Sequence, residues 1–92
     1  MTMNADAFLR GLADDGFAEV EHKQLLPDTC FGEHRHACDA RLLVVEGELA
    51  LGLNGDTRTY RAGESFEVRR DVPHTERYAA KASTRLIVGR RR

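Results

Sequence analysis

The sequence is short of several things whose absence is informative. It has no tryptophan and only two cysteines, Cys30 and Cys38, which do not form a C-x-x-C pair. Such a pair offers neither a disulfide framework nor a dithiol redox motif, and in a reducing compartment both are expected as free thiols. No apolar run approaches the roughly 20 residues needed to span a bilayer. The opening Met1-Thr2-Met3-Asn4-Ala5-Asp6 lacks the basic and apolar regions of a signal peptide. The expectation is a soluble, cytoplasmic protein. Charge of one sign is also missing, because 14 basic side chains face 15 acidic ones for a net charge of -1. That balance argues against a general electrostatic grip on nucleic acid or anionic lipid, so neither partner is expected.

Lysine is nearly absent too: Lys23 and Lys81 accompany 12 arginines, a ratio for which genome base composition is the simplest cause. The arginines gathered at the end, Arg85 and Arg90 to Arg92, read as a solvated basic terminus. A chain of 92 residues supports one small domain with one core, and therefore one pocket, completed if need be by a second subunit.

Against these absences stands a clear order of elements. Ala5, Phe8, Leu9 and Leu12 recur at i, i+3, i+4 and i+7, with Asn4 as N-cap and Asp6 in the first turn, predicting a short amphipathic helix that Asp14-Asp15-Gly16 ends. Phe17 to Leu26 is strand-like until Pro27-Asp28 breaks it. Leu49, Leu51 and Leu53 alternate up to Asn54-Gly55, the dipeptide that most strongly signals a type I′ hairpin turn. Short strand-like runs follow at 57–61, 65–69, 74–79 and 84–88, separated by Ala62-Gly63-Glu64, Pro73 and other turn residues. The pattern describes an all-β barrel or sandwich, with segment 1–16 as a helix added to a domain over 17–92.

The stretch from Gly32 to Gly47 organises the chain. If it forms one unbroken strand, His34 and His36 share a face with Cys38, Ala40, Leu42 and Val44, because successive side chains alternate. A third imidazole, His74, follows Pro73 at the start of a later strand. Three neutral imidazoles brought together suit a divalent transition metal. Glu76 and Tyr78 share the parity of His74, so either could face the same pocket. Glu76 could bind metal, hydrogen-bond a ligand imidazole or act as a base, or simply pair with an arginine at the barrel mouth. Tyr78 could present its hydroxyl to a ligand or only line the wall. Cys38 could supply a thiolate, although an unpaired buried cysteine is more often a small apolar filler. Asp39 and Arg41 have the opposite parity and are expected on the surface or at a subunit contact.

The order Gly32, His34-x-His36, Gly47, then Gly63 and Pro73-His74, with the phrases LLVVEGELAL and YRAGESFEVRRDVPH, resembles the two histidine motifs of the cupin superfamily. The resemblance covers about two-thirds of the chain. It implies an all-β cupin jelly-roll β-barrel with a short N-terminal α-helix, and it makes His34, His36 and His74 counterparts of the family's metal-binding histidines. The family's usual fourth ligand, a glutamate seven residues before Gly47, is replaced by Ala40. Arg69 and Asp71 stand where proline and glycine are common, and Tyr78 where an asparagine often follows.

The resemblance thus implies a three-histidine site for Fe, Zn, Mn or Ni, open to water or substrate, with Cys38, Ala40 and Leu42 on the pocket wall and Glu76 and Tyr78 as catalytic or supporting groups. Two functions follow as expectations. One is a metal-dependent enzyme acting on a small polar molecule, of dioxygenase or isomerase type; the other is a non-catalytic small-molecule sensor or binding module, with or without metal. No helix-turn-helix accompanies the barrel. A homodimer is expected, because a small barrel has sheet edges to cover, with Phe8, Leu9 and Leu12 packing either across that interface or onto their own barrel.

Overall fold

The computed structural model describes residues 3–92. Met1 and Thr2, which begin the expected segment 1–16, lie outside the described residues. One helix, α1 (Ala5–Asp14), precedes eight strands: β1 (Glu19–Leu25), β2 (Cys30–His34), β3 (Asp39–Glu46), β4 (Glu48–Leu53), β5 (Asp56–Arg61), β6 (Ser65–Val68), β7 (His74–Tyr78) and β8 (Thr84–Arg91). The strands form two antiparallel four-stranded sheets, ordered β1-β8-β3-β6 and β2-β7-β4-β5. This is the interleaved order of a jelly roll, in which an antiparallel pair of chain halves wraps around a common core. The hairpin turn between β4 and β5 falls at Asn54-Gly55, both residues having positive φ as a type I′ turn requires.

Strands β3 and β8 bury both of their faces. Leu42, Val44, Leu86 and Val88 point inward and join Leu25, Leu49 and Tyr78 in the barrel core. Their neighbours Leu43 and Ile87 point outward and pack with Phe8, Leu12 and Phe17. This explains why Leu42–Val45 and Leu86–Val88 read as continuous apolar runs rather than as alternation: one face fills the barrel and the other carries the helix. Asn4 starts α1 by accepting the N–H of Ala7 at 2.8 Å. The helix then lies close to β8, because a Cβ on Gly89 would sit 2.5 Å from Leu12 Cδ2. Arg41 and Arg91 bracket the Phe17 ring at 4.4 and 4.5 Å from its centroid, and Arg41 also pairs with Asp15 and Glu67.

Two sequence expectations change here, and one open alternative is decided. Gly32 to Gly47 is not one strand: β2 ends at His34 and β3 begins at Asp39, because β2 pairs with β7 in one sheet and β3 with β6 and β8 in the other. The segment 35–38 crosses between the sheets, so parity counted from His34 does not carry through to Cys38. The basic end is not a free terminus, since β8 runs to Arg91, and Arg90, Arg91 and Arg92 pair with Glu21, Asp39 and Glu19. Finally, Phe8 and Leu12 are buried against their own sheet and Leu9 packs beside them, so α1 closes its own barrel rather than a subunit interface. No helix among the described residues is long and apolar enough to cross a membrane.

The packing of α1 predicts that Leu12→Ala lowers the unfolding free energy by about 2–5 kcal/mol, as for other large-to-small substitutions at fully buried sites. Denaturant melts would measure this. Unchanged stability would show that the helix contributes nothing to the core.

Candidate metal centre

The site starts from one strand pairing. His34, the last residue of β2, and His74, the first of β7, are register partners across the antiparallel pair. Cross-strand partners project to the same face, so the two imidazoles meet, with ring centroids 4.3 Å apart. Glu76 lies two residues along β7 and shares that face. His36 arrives from the crossing segment, its ring 4.9 Å from that of His34 and 5.3 Å from that of His74. One potential ligand atom from each of His34, His36, His74 and Glu76 lies within 4.8 Å of the others.

The hydrogen bonds decide which atoms of this cluster can act. His34 Nδ1 donates to the Gly32 carbonyl at 2.7 Å, and His74 Nδ1 donates to the Val72 carbonyl at 2.9 Å. A carbonyl only accepts, so each Nδ1 carries a proton, and in the neutral ring Nε2 is then a lone pair. Glu76 Oε2 is 3.1 Å from His34 Nε2 and 3.4 Å from His74 Nε2, while its Oε1 accepts the Tyr78 hydroxyl. Acceptors therefore face acceptors. A proton or a cation must lie between them, and the donor set, imidazole nitrogen with carboxylate oxygen, suits a divalent transition metal.

Burial and charge tune the groups further. Partial burial pushes His36 below its ordinary pKa of 6.5; His34, His74 and Arg90 push it the same way, while Glu76 opposes them. Tyr78 is 3 % exposed, and burial first, then its bond to the Glu76 carboxylate, raises its phenol pKa, so it remains a proton donor at neutral pH.

The cluster opens on a cavity of about 220 Å³ between the sheets. That volume is below the roughly 300–1,000 Å³ of pockets that enclose drug-sized ligands. Leu42, Leu51, Phe66, Val68, Leu86 and Val88 make its apolar surface, and Ala40 and Tyr78 also line it. Cys38 is buried but is not on this wall, because it sits in the crossing segment rather than in β3. Asp39 and Arg41 point outward, as their parity implies, and tie Arg70, Arg91, Asp15 and Glu67. Eight wall residues escaped sequence reasoning: the apolar Phe31, Leu51, Phe66, Val68, Leu86 and Val88, and the charged Lys23 and Arg90. Lys23 has the inward parity of Leu25, and Arg90 that of Leu86 and Val88, so the signal was present once β8 was known to continue beyond Val88.

Residues 22–89 match the family model Cupin_2, described as Cupin domain. Among solved structures, protein NMB1881 from Neisseria meningitidis aligns with a TM-score of 0.64 and 28% identity over 79% of this chain and 72% of that one. A cupin-2 domain containing protein from Shewanella frigidimarina aligns at 0.64 and 25% identity over 80% and 72% of the two chains. The polyketide cyclase RemF from Streptomyces resistomycificus aligns at 0.66 and 24% identity, over 77% of this chain and 52% of its own, a likeness of fold alone. No curated protein matches.

The environment of His36 sets a measurable expectation. In chelator-treated protein its NMR titration should have a midpoint below 6.5, and Arg90→Gln should move that midpoint upward. Because the folded state binds this proton less readily than the unfolded chain, His36 makes stability fall as pH drops below 6.5 towards the folded-state value. A midpoint at or above 6.5 would contradict this account of its surroundings.

Proposed function

The chain belongs to the Cupin_2 family of cupin domains, and on that premise we propose that it binds a divalent transition metal through His34, His36, His74 and Glu76 and acts on a small molecule in the adjoining cavity. The observation that carries this reading is the pair of backbone carbonyls, Gly32 and Val72, that take the Nδ1 protons and aim both Nε2 lone pairs towards Glu76 Oε2. Such ties to the outer nitrogen fix the tautomer and orientation of a ligating histidine. Glu76 then stands in for the carboxylate absent at Ala40, from the opposite sheet, and Tyr78 holds its second oxygen. Fe, Zn, Mn and Ni all accept this donor set. Bound there, such an ion supplies Lewis acidity and open coordination positions. The chain's own residues orient the ligands, keep the Tyr78 proton in place and surround the guest with apolar walls. Dioxygenase or isomerase chemistry on a small polar substrate fits that arrangement.

One observation favours a second reading, a metal-free sensor or binding module. No buried side-chain nitrogen or oxygen among the described residues lacks a hydrogen-bond partner, so a proton shared by Glu76 and His34 also completes the network. Homodimerisation remains part of the proposal by another surface: β1 is a sheet edge that leaves Val20 exposed, with Leu26 exposed just beyond it.

Metal analysis of freshly purified protein, followed by chelator titration, tests the first reading. Chelation of metal-loaded protein should lower the melting temperature, since an ion held at about 100 times its Kd stabilises the fold by about 2.7 kcal/mol. His74→Ala should weaken metal binding beyond the roughly 10–100-fold lost when only a supporting group is removed. Equal affinity in wild type and His74→Ala would reject the site, and metal-free protein that binds a small molecule without turnover would favour the sensor.

A further inference from the structure

We propose that the cavity beside Ala40 holds the carboxylate of a small monocarboxylic acid, gripped by Arg90, with the acid's apolar body lying on Leu42, Phe66, Leu86 and Val88. The proposal rests on the metal-centre reading in placing the carboxylate next to the ion and in the positive charge that the ion adds; the anion grip itself is built from Arg90 and Lys23.

Ala40 and Arg90 are register partners on β3 and β8 and both line the cavity. A methyl group thus stands beside a long cation, leaving space at the guanidinium. Arg90 acts on the same corner as His36, whose proton affinity it lowers. Glu21 accepts one hydrogen bond from Arg90 Nη1 at 2.9 Å, which anchors the side chain. A guanidinium has five N–H donors in a planar fork, so others remain for a bidentate carboxylate. Lys23, also on the wall, forms no ion pair among the described residues.

The charge balance points the same way. The ionic groups of the wall are Lys23 and Arg90 against Glu76, with Glu21 offsetting Arg90 from outside it. A divalent ion at the cluster leaves the cavity with excess positive charge, which a guest anion reduces. The mainly apolar remainder and the volume of about 220 Å³ demand a compact hydrocarbon body behind that single charge.

The test uses the full chain, chelator-treated and zinc-loaded, with benzoate as probe and benzamide as its neutral counterpart of like shape. Binding is read by 15N-1H NMR shifts, including the Arg90 side-chain Nε–H, and by thermal shift. Benzoate should bind and benzamide should not compete. Arg90→Gln should weaken benzoate by roughly 10–100-fold, the loss expected for a charge-assisted hydrogen bond; Lys23→Met should weaken it less. Ala40→Glu provides a second variant: its carboxylate fills the space and pairs with Arg90, so it should abolish benzoate binding while metal binding persists or tightens. Equal binding of benzoate and benzamide, or undiminished benzoate binding in Arg90→Gln or Ala40→Glu, overturns the proposal. Metal binding without any benzoate shift removes the carboxylate site alone. Arg90-dependent benzoate binding by a protein that takes up no metal keeps this site and removes the metal reading.

Discussion

The arrangement depends on the register of β2 against β7. That pairing sets His34 opposite His74, and in each case the ring proton reaches back to the carbonyl two residues earlier. Two backbone acceptors thereby choose the tautomer of two side chains. A shift of one residue would turn these histidines to the other face of the sheet, and with them the convergence of lone pairs on Glu76. The bulge between Phe31 and His34 belongs to this device, since it lets the strand end with its histidine aimed at the cluster.

The opposite sheet supports that geometry rather than supplying donors. β3 and β8 are its central strands, and their inward side chains make much of the cavity wall while their outward ones seat α1. Strands packed on both faces deform little, because any displacement opens voids on one side or clashes on the other. The arginines at the end of the chain serve this sheet as well. Arg91 lies over Phe17 and pairs with Asp39, and Arg92 pairs with Glu19, so the C-terminal end of the last strand is tied to its surroundings. These exposed pairs individually contribute little, because solvent screens them. The register of the strand, and with it the place of Arg90, is carried by its backbone pairing with β1 and β3.

The carboxylate is the informative departure. Ala40 lies on the sheet facing the histidines, whereas Glu76 lies on the strand that carries His74. A carboxylate two residues from a histidine on one strand moves with it as a unit, and Tyr78 two residues further fixes its second oxygen. The opposite wall is correspondingly left open at Ala40, with Arg90 alongside. The negative charge thus lies on the side of the cavity that carries the histidines, and the positive charge of Arg90 on the other.

Most of this was legible from residue order. The helix, the strand punctuation, the Asn54-Gly55 turn and the shared parity of His74, Glu76 and Tyr78 all depend on local rules: capping, φ preferences and the two-residue alternation of a strand; the cupin resemblance rests instead on the order and spacing of its motifs. Where Gly32–Gly47 breaks was not legible, because parity assumes a continuous strand and only pairing partners reveal that 35–38 crosses between sheets; the reading of Cys38 as a wall residue failed for that reason. The end of β8 was missed for a related one, since Arg90 to Arg92 look like a solvated tail until Glu19, Glu21 and Asp39 are brought beside them. The sequence by itself determined which side chains could ligate and, outside 32–47 and the end of β8, where the strands lie and which residues alternate along them. Tertiary structure alone decided that His34 meets His74, that Glu76 reaches His34 as well as the histidine on its own strand, and that Arg90 lies beside Ala40, because each is a contact between strands far apart in the chain.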